Sequence, residues 1–100
     1  MTLLSYQVFK TVASQGSFRK AADILGLTPS AISHTIASME SELGFSLLNR
    51  SKSGVTLTNY GENLIPYVNA VLNSEESLQQ AIAEFNGLKQ GKVKIGCFSS

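Results

Sequence analysis

The sequence has few of the residues from which covalent links and metal sites are built. Cys97 is the only cysteine, which excludes an internal disulfide and any metal site with several cysteines, and fits a reducing compartment. His34 is the only histidine, so we expect neither a metal site nor a cofactor. Cys97 lies near Ser99, yet no histidine is close in sequence to activate either residue, so we do not expect an enzyme.

Strong charge and long apolar runs are also absent. Eight Lys and Arg residues against seven Asp and Glu residues give a net charge of +1, which by itself does not indicate a nucleic-acid partner. No apolar run approaches the ~18 residues of a membrane span, and the N-terminus lacks the apolar core of a signal peptide. We therefore expect a cytoplasmic protein without membrane contact. With 43% hydrophobic residues, the 100 residues suffice for one small core.

Capping residues and apolar spacing predict three helices in the first half of the chain. The predicted helices cover residues 3–14, 18–25 and 29–43. Each is preceded by a hydroxyl residue suited to the N-cap, namely Thr2, Ser17 and Thr28. Only Gly26, Leu27 and Thr28 separate the second helix from the third, and such a short glycine-containing turn is typical of a helix-turn-helix. Ala21 and Ala22 fit this interpretation, because crossing helices need small side chains where their backbones approach.

The third predicted helix has an unusual outer face. Its apolar positions recur at helical spacing and predict the buried side: Ile32, Ile36, Met39 and Leu43. The opposite side, called the recognition face below, consists of Ser30, Ser33, His34, Ala37, Ser38 and Ser41. Serine is a poorer helix former than the charged residues that normally fill exposed helix positions. A face of small hydroxyls without Lys or Arg therefore indicates close approach to another surface, such as the major groove of DNA.

Two short extended runs after the third helix predict a β-hairpin. They lie near residues 46–50 and 55–57, with a turn at residues 51–54. A hairpin in this position is called a wing, and it carries Arg50 and Lys52. Together with Arg19 and Lys20 at the start of the second helix, these cations flank a nearly neutral recognition face, so phosphate contacts and base contacts are separated.

The predicted DNA-binding residues therefore form three groups. They are Ser17, Arg19 and Lys20 of the second helix, Thr28, Pro29, Ser30, Ser33, His34 and Ser38 of the third, and Arg50, Lys52 and Ser53 of the wing. Glu40 and Glu42 would repel phosphates, which implies that the later turns of the third helix tilt out of the groove. Taken alone, His34 is more often an ordinary surface histidine, and a pair such as Arg19 and Lys20 is usually only solvated.

A long helix from about Asn59 to Leu88, with Pro66 inside it, is predicted to form a dimer. Its apolar residues follow a heptad pattern that is interrupted at Glu75. These predicted dimerisation residues are Leu64, Val68, Val71, Leu78, Ile82 and Phe85. The alternative is that they belong to the core of the same chain. A two-fold dimer is favoured, because residues 1–58 offer too little surface to cover them all.

Residues 92–98 alternate polar and apolar side chains like the first strand of another domain. A single strand after a helix has no partner for pairing. We therefore expect residues 90–100 to be the start of a truncated second domain. The predicted fold is mainly α, with a winged helix-turn-helix at residues 1–58 and a linker and dimerisation helix at residues 59–89.

The segment 17–50, followed by residues 55–64 (VTLTNYGENL), closely resembles the N-terminal signature of LysR-type bacterial transcriptional regulators. The shared residues are Gly16, Ser17, Phe18, Ala21, Ala22, Leu25, Ala31, Ser33, Ile36, Glu40, Leu43, Gly44, Leu47, Arg50, Leu57, Thr58 and Gly61. The resemblance covers about residues 3–98 and implies a winged helix-turn-helix, a linker helix that forms an antiparallel dimer, and a C-terminal domain that binds a small-molecule effector. It also implies that Ser99 and Ser100 contact this effector in the intact protein, where the dimer can be part of a tetramer.

Two functions from different classes compete. The leading hypothesis is the DNA-binding part of a sequence-specific transcriptional regulator that binds operator DNA as a dimer. The alternative is a dimerising interaction module that uses its winged helix to dock another protein. Binding to DNA phosphates weakens steeply with salt, whereas an apolar protein interface does not, so the response to salt distinguishes the two hypotheses.

Overall fold

Helices and strands follow one another along the chain in the order α-α-α-β-β-α. The structure, a computed structural model, describes the backbone of residues 1–91 and the side chains of residues 1–87. The elements are α1 (Leu3–Gln15), α2 (Phe18–Leu25), α3 (Pro29–Leu43), β1 (Leu48–Ser51), β2 (Gly54–Leu57) and α4 (Asn59–Gly91). The predicted fold class, a winged helix-turn-helix followed by a long helix, is confirmed. The strand predicted at residues 92–98 and the predicted effector contacts Ser99 and Ser100 lie outside the described residues.

The first three helices begin where a hydroxyl side chain accepts a hydrogen bond from a backbone N–H of the first turn. The oxygen of Thr2 accepts from Ser5 N at 3.2 Å, and the equivalent bonds of Ser17 and Thr28 measure 3.2 and 3.1 Å. All three helices end at a glycine with a left-handed backbone, Gly16, Gly26 and Gly44. At the short turn between α2 and α3, the end of α2 and the start of α3 are therefore both fixed by cap hydrogen bonds.

The core lies between α1, α2 and α3 and beneath the start of the wing. Its largest fully buried side chains are Val8, Phe9, Val12, Ile32, Ile36 and Leu47. Ala21 and Ala22 of α2 are also buried, as expected where helices cross with small side chains between them. The predicted buried side of α3 is confirmed for Ile32, Ile36 and Met39, while Leu43 is partly buried at the edge of the core.

The wing is shorter than the sequence predicts. Leu48 pairs with Leu57 and Ser51 with Gly54, so the turn contains only residues 52–53 instead of 51–54. The first strand begins at Leu48, two residues later than expected, because the backbone before it bonds to other elements. The carbonyl of Ser46 accepts a hydrogen bond from Thr58 Oγ1 at 2.7 Å. The next residue, Leu47, is hydrogen-bonded through both its N–H and its carbonyl.

Glu40 is the acidic residue that holds this segment in place. Its Oε2 accepts hydrogen bonds from the backbone N–H groups of Leu47 at 2.7 Å and Leu48 at 3.3 Å. The carbonyl of Leu47 accepts from Thr58 N at 3.0 Å. The carboxylate of Glu40 therefore has a structural role that the sequence analysis did not assign to it, as an acceptor turned toward the wing.

We expect Glu40→Gln to lower the free energy of unfolding by about 1 kcal/mol, because a neutral amide oxygen accepts a weaker hydrogen bond than a carboxylate. Glu42→Gln is the matched control. It removes only the surface ion pair between Glu42 and the Met1 amino group, at 3.0 Å, and should cost less than about 0.5 kcal/mol. Urea unfolding of the two variants measures the difference, and equal losses would contradict the role of Glu40.

The long helix α4 has two parts with different surroundings. Thr58 caps it, since its Oγ1 accepts from Gly61 N at 3.1 Å, and the helix has 33 residues with Pro66 inside it. The first part packs on the core of the same chain through Leu64, Ile65, Val68 and Leu72. After residue 72 most of the described side chains are exposed. Despite its length, neither α4 nor another helix in the described part is apolar enough to cross a membrane.

This arrangement gives two of the predicted dimerisation residues a place in the core of their own chain, and corrects the prediction for the buried one, Val68. Val68 is buried with only 7% of its surface exposed, and Leu64 packs against the same core. Both are therefore explained by the core of their own chain, which is the alternative that the sequence left open. The heptad pattern could not distinguish Leu64 and Val68 from Val71 and Leu78. All four lie on the same face of α4, and this face packs on the core near the start of the helix and is exposed to solvent farther along.

Candidate nucleic-acid interface

The recognition face of α3 is open to solvent along its whole length. Ser30, His34, Ala37, Ser38 and Ser41 are exposed, and Ser33 is half-buried. Pro29 in the first turn is exposed as well, because α3 begins at the surface. Within the described residues, the hydroxyls of this face have no hydrogen-bond partner, so their donors and acceptors are available to a ligand.

One hydroxyl of α3 is excluded from this surface. Thr35 Oγ1 donates to the carbonyl of Ala31 at 2.9 Å, so it is turned onto its own helix. Thr28 and Ser17 are used differently, since each accepts a backbone hydrogen bond as an N-cap and keeps its hydroxyl proton and one lone pair for another partner. Both are at positions where a phosphate can also meet the N-terminal end of a helix.

The wing is attached to the loop between α1 and α2. The N–H of Val55 donates to the carbonyl of Gly16 at 3.1 Å. Gly54 lies so close to this carbonyl that a Cβ at position 54 would be 3.0 Å from the oxygen, and its φ of 133° disfavours any side chain. The wing and the start of α2 therefore form one surface, although they are far apart in the sequence.

Four cations lie on this surface. Arg19 and Lys20 are exposed in the first turn of α2, and Arg50 and Lys52 are exposed on the wing, with Ser53 beside them in the turn. In the part of the chain whose side chains are described, the ion pair between the amino terminus and Glu42 is the only one, so no carboxylate neutralises these cations. An anionic ligand can contact them without displacing a partner.

This combination of a helix-turn-helix, an exposed recognition face and a basic wing is matched by a known family. The family model described as the bacterial regulatory helix-turn-helix protein, lysR family, matches residues 3–62. The chain belongs to the LysR family. The resemblance seen in the sequence is thereby confirmed.

Curated relatives of this LysR-family chain cover its whole length. It is 37% identical over 101 residues to the uncharacterized HTH-type transcriptional regulator YvbU of Bacillus subtilis, an alignment with 100% of this chain and 35% of the relative. It is 33% identical to the HTH-type transcriptional regulator CfxR of Cupriavidus necator, with 100% of this chain and 32% of the relative. The chain thus spans about a third of the length of these relatives.

Solved structures of the family have the same fold. Oxidized OxyR of Corynebacterium glutamicum matches with a TM-score of 0.83 and 31% identity, over 86% of this chain and 26% of OxyR. The DNA-binding domain of BenM, in its complex with catB site 1 DNA, matches with a TM-score of 0.80 and 29% identity, over 86% of this chain and 97% of that domain. The long helix is included in the matched region, since 86% of the chain extends beyond residues 1–58.

One side of α4 carries a row of exposed apolar side chains in this LysR-family chain. Val71, Leu78, Ile82 and Phe85 are exposed over 41%, 57%, 42% and 57% of their surface. Tyr67, exposed over 71%, lies on the same side of the helix one turn before Val71. We call these five residues the apolar stripe of α4. The sequence analysis missed Tyr67, because it does not fall on a position of the strict heptad.

Phe18 is a second residue that the sequence analysis did not assign to the interface. It is the first residue of α2, and the Arg50 Cζ lies 4.4 Å from the centroid of its ring. No local pattern could indicate this contact, because it joins the start of α2 to β1 across the fold.

Among the side chains that the structure describes, no three His, Cys, Asp or Glu residues come together as metal ligands.

Proposed function

We propose that this chain is the DNA-binding part of a dimeric transcriptional regulator that recognises paired half-sites in operator DNA. The observation that carries the proposal is the unneutralised set of four cations beside an exposed, uncharged recognition face. Arg19, Lys20, Arg50 and Lys52 contact phosphates and position α3, whose N-terminal residues contact base edges in the major groove. The solved complex of the BenM DNA-binding domain with catB site 1 DNA supports this function, because that domain has the same fold over nearly its whole length.

The same proposal includes a two-fold dimer through α4. The apolar stripe of α4 is exposed in a single chain, and burying it against the same surface of a second copy removes apolar area from water. A two-fold dimer places two recognition helices in successive major grooves on one side of the duplex, about 34–36 Å apart or a multiple of that distance.

The intact protein is proposed to contain a second domain in addition to this DNA-binding part. Since the chain spans about a third of the length of its curated relatives, we infer that an effector-binding domain follows α4. Because α4 extends to Gly91, this domain would begin after that residue and not at residue 90. Ser99 and Ser100 would then contact a small-molecule effector. The dimer is the unit from which a tetramer could assemble. We further infer that this part of the protein acts in the cytoplasm by binding DNA and performs no catalysis.

Separate variants of the cations and of the recognition face test the division of roles. Arg50→Ala or Lys52→Ala should weaken binding to all duplexes and reduce the slope of log K against log salt by about one unit each. Ser33→Ala or His34→Ala should instead lower the discrimination between a preferred and a random duplex by roughly 1–3 kcal/mol. Fluorescence anisotropy at several salt concentrations measures both quantities, with a preferred duplex obtained by selection from a random pool.

Lys10→Ala is the matched control for the cation variants. Lys10 is an exposed cation in the groove between α1 and α4, away from the wing and the recognition face. The Lys10→Ala variant should therefore have the wild-type affinity for DNA and the wild-type slope of log K against log salt. An equal loss on both duplexes for the His34 variant would remove His34 from base recognition. The absence of binding to either duplex, even at low salt, would favour the protein-docking hypothesis over DNA.

A further inference from the structure

The contact between Arg50 and Phe18 links the wing to the start of α2. The guanidinium carbon lies over the ring, 4.4 Å from its centroid. Phe18 is itself anchored, since it is partly buried and packs against the core. Arg50 pairs with Val55 in the sheet, and the N–H of Val55 is bonded to Gly16, two residues before Phe18. The ring and the strand that carries Arg50 are therefore held in fixed relative positions.

The chemistry of this contact leaves Arg50 able to bind an anion. A cation over an aromatic face is attracted by the charge distribution of the ring, and this attraction does not consume the N–H donors of the guanidinium. Within the described residues, the guanidinium of Arg50 has no hydrogen bond and no ion pair. Its donors are therefore available for the bidentate contact that guanidinium groups make with phosphate.

The ring also limits the freedom of a long side chain on an exposed strand. A free arginine on a two-stranded wing samples many rotamers, and binding to a phosphate must then select one of them. With the guanidinium already over Phe18, part of this ordering is completed before DNA arrives. A leucine in place of Phe18 could fill the apolar space but would offer no such attraction.

We propose that Phe18 is a positioning residue for DNA binding: its ring holds the Arg50 guanidinium in place to contact a backbone phosphate at the start of α2. This inference rests on the proposed function. It deepens that function by assigning a role to a residue that need not touch DNA. The expected effect is modest, because an exposed cation–π contact corresponds to a roughly two- to fivefold change in affinity.

A double-mutant cycle tests the coupling of the two residues. The wild type, Phe18→Leu, Arg50→Ala and the double variant are titrated against a random-sequence duplex by fluorescence anisotropy. We expect Phe18→Leu to weaken binding by roughly two- to fivefold with Arg50 present and to have no effect in the Arg50→Ala background. The salt slope should fall by about one unit for Arg50→Ala and stay unchanged for Phe18→Leu, since the charge is still there.

Phe18→Tyr keeps the aromatic face and should bind DNA like the wild type. Thermal unfolding identifies any variant that is unfolded, and Phe18→Met, which keeps most of the side-chain volume, then replaces Phe18→Leu in the cycle. Equal losses from the Phe18 change with and without Arg50 would mean that Phe18 acts only through packing, and would overturn the inference. A wild-type protein that binds no duplex would instead refute the proposed function itself.

Discussion

Replacing both Val71 and Leu78 with Lys should convert the protein from a dimer to a monomer and weaken its binding to paired half-sites by roughly 10²-fold or more. Both side chains lie in the middle of the apolar stripe of α4 and are exposed over 41% and 57% of their surface in a single chain. In a two-fold dimer each change occurs twice, so four ammonium groups would have to be buried or repel one another at the interface. Loss of the dimer removes the second half-site contact, which accounts for the large effect on DNA.

Sedimentation equilibrium measures the association directly, and anisotropy with one or two half-sites measures its consequence. The matched control is Asn73→Lys with Gln80→Lys. These two exposed positions have the same spacing as Val71 and Leu78 but lie about half a turn around the helix. The control adds the same charge and should stay dimeric. A wild-type monomer at tens of micromolar would rule out the dimer and require another explanation of the exposed stripe.

Gly61→Ala should lower the free energy of unfolding by about 3 kcal/mol, at the upper end of the cost of overpacking. A Cβ at this buried position of α4 would overlap the carbonyl oxygen of Leu47 and approach the side chain of Leu57. The carbonyl cannot easily move away, because it accepts from Thr58 N at 3.0 Å while the N–H of Leu47 is held by Glu40 at 2.7 Å. The added methyl group therefore pushes α4 away from the base of the wing.

Gly87→Ala is the control for Gly61→Ala in the same helix. A Cβ at position 87 meets no atom within 4 Å, so alanine there should stabilise α4 by about 0.5–1 kcal/mol through its better helix propensity. Thermal unfolding followed by circular dichroism at equal protein concentration compares the two variants. The expected loss for Gly61→Ala corresponds to a fall in melting temperature of more than about 10 °C. Equal stability of the two variants would show that α4 does not pack on Leu47 as described.

Features that depend on neighbouring residues in the chain were predicted correctly from the sequence. Thr2, Ser17 and Thr28 cap their helices, and the glycines after α1, α2 and α3 end them, because a cap needs only a side chain and a backbone N–H within one turn. The buried side of α3 followed from spacing alone. The family was also predictable, since its signature extends through these same local features.

Most of the predictions that failed or were missed depend on contacts between distant segments. The wing starts at Leu48 because Glu40 and Thr58 bind the two residues before it, and neither partner is near in sequence. Leu64 and Val68 likewise pack on the core through contacts with residues that are distant in the sequence. Whether an apolar residue of α4 faces its own chain or solvent depends on where α1 to α3 end, which the heptad pattern does not contain.

For this protein, the sequence by itself determined the helices, the turn between α2 and α3, the uncharged recognition face and the LysR-family membership, because capping, helical spacing and side-chain chemistry act over a few residues. Only the tertiary structure decided which cations share a surface and what surrounds them. The hydrogen bond from Val55 to Gly16 brings the wing to α2 and places Arg50 over Phe18. Such a contact joins residues that are remote in the chain, so it becomes defined only when the core has fixed the relative positions of the helices and the wing.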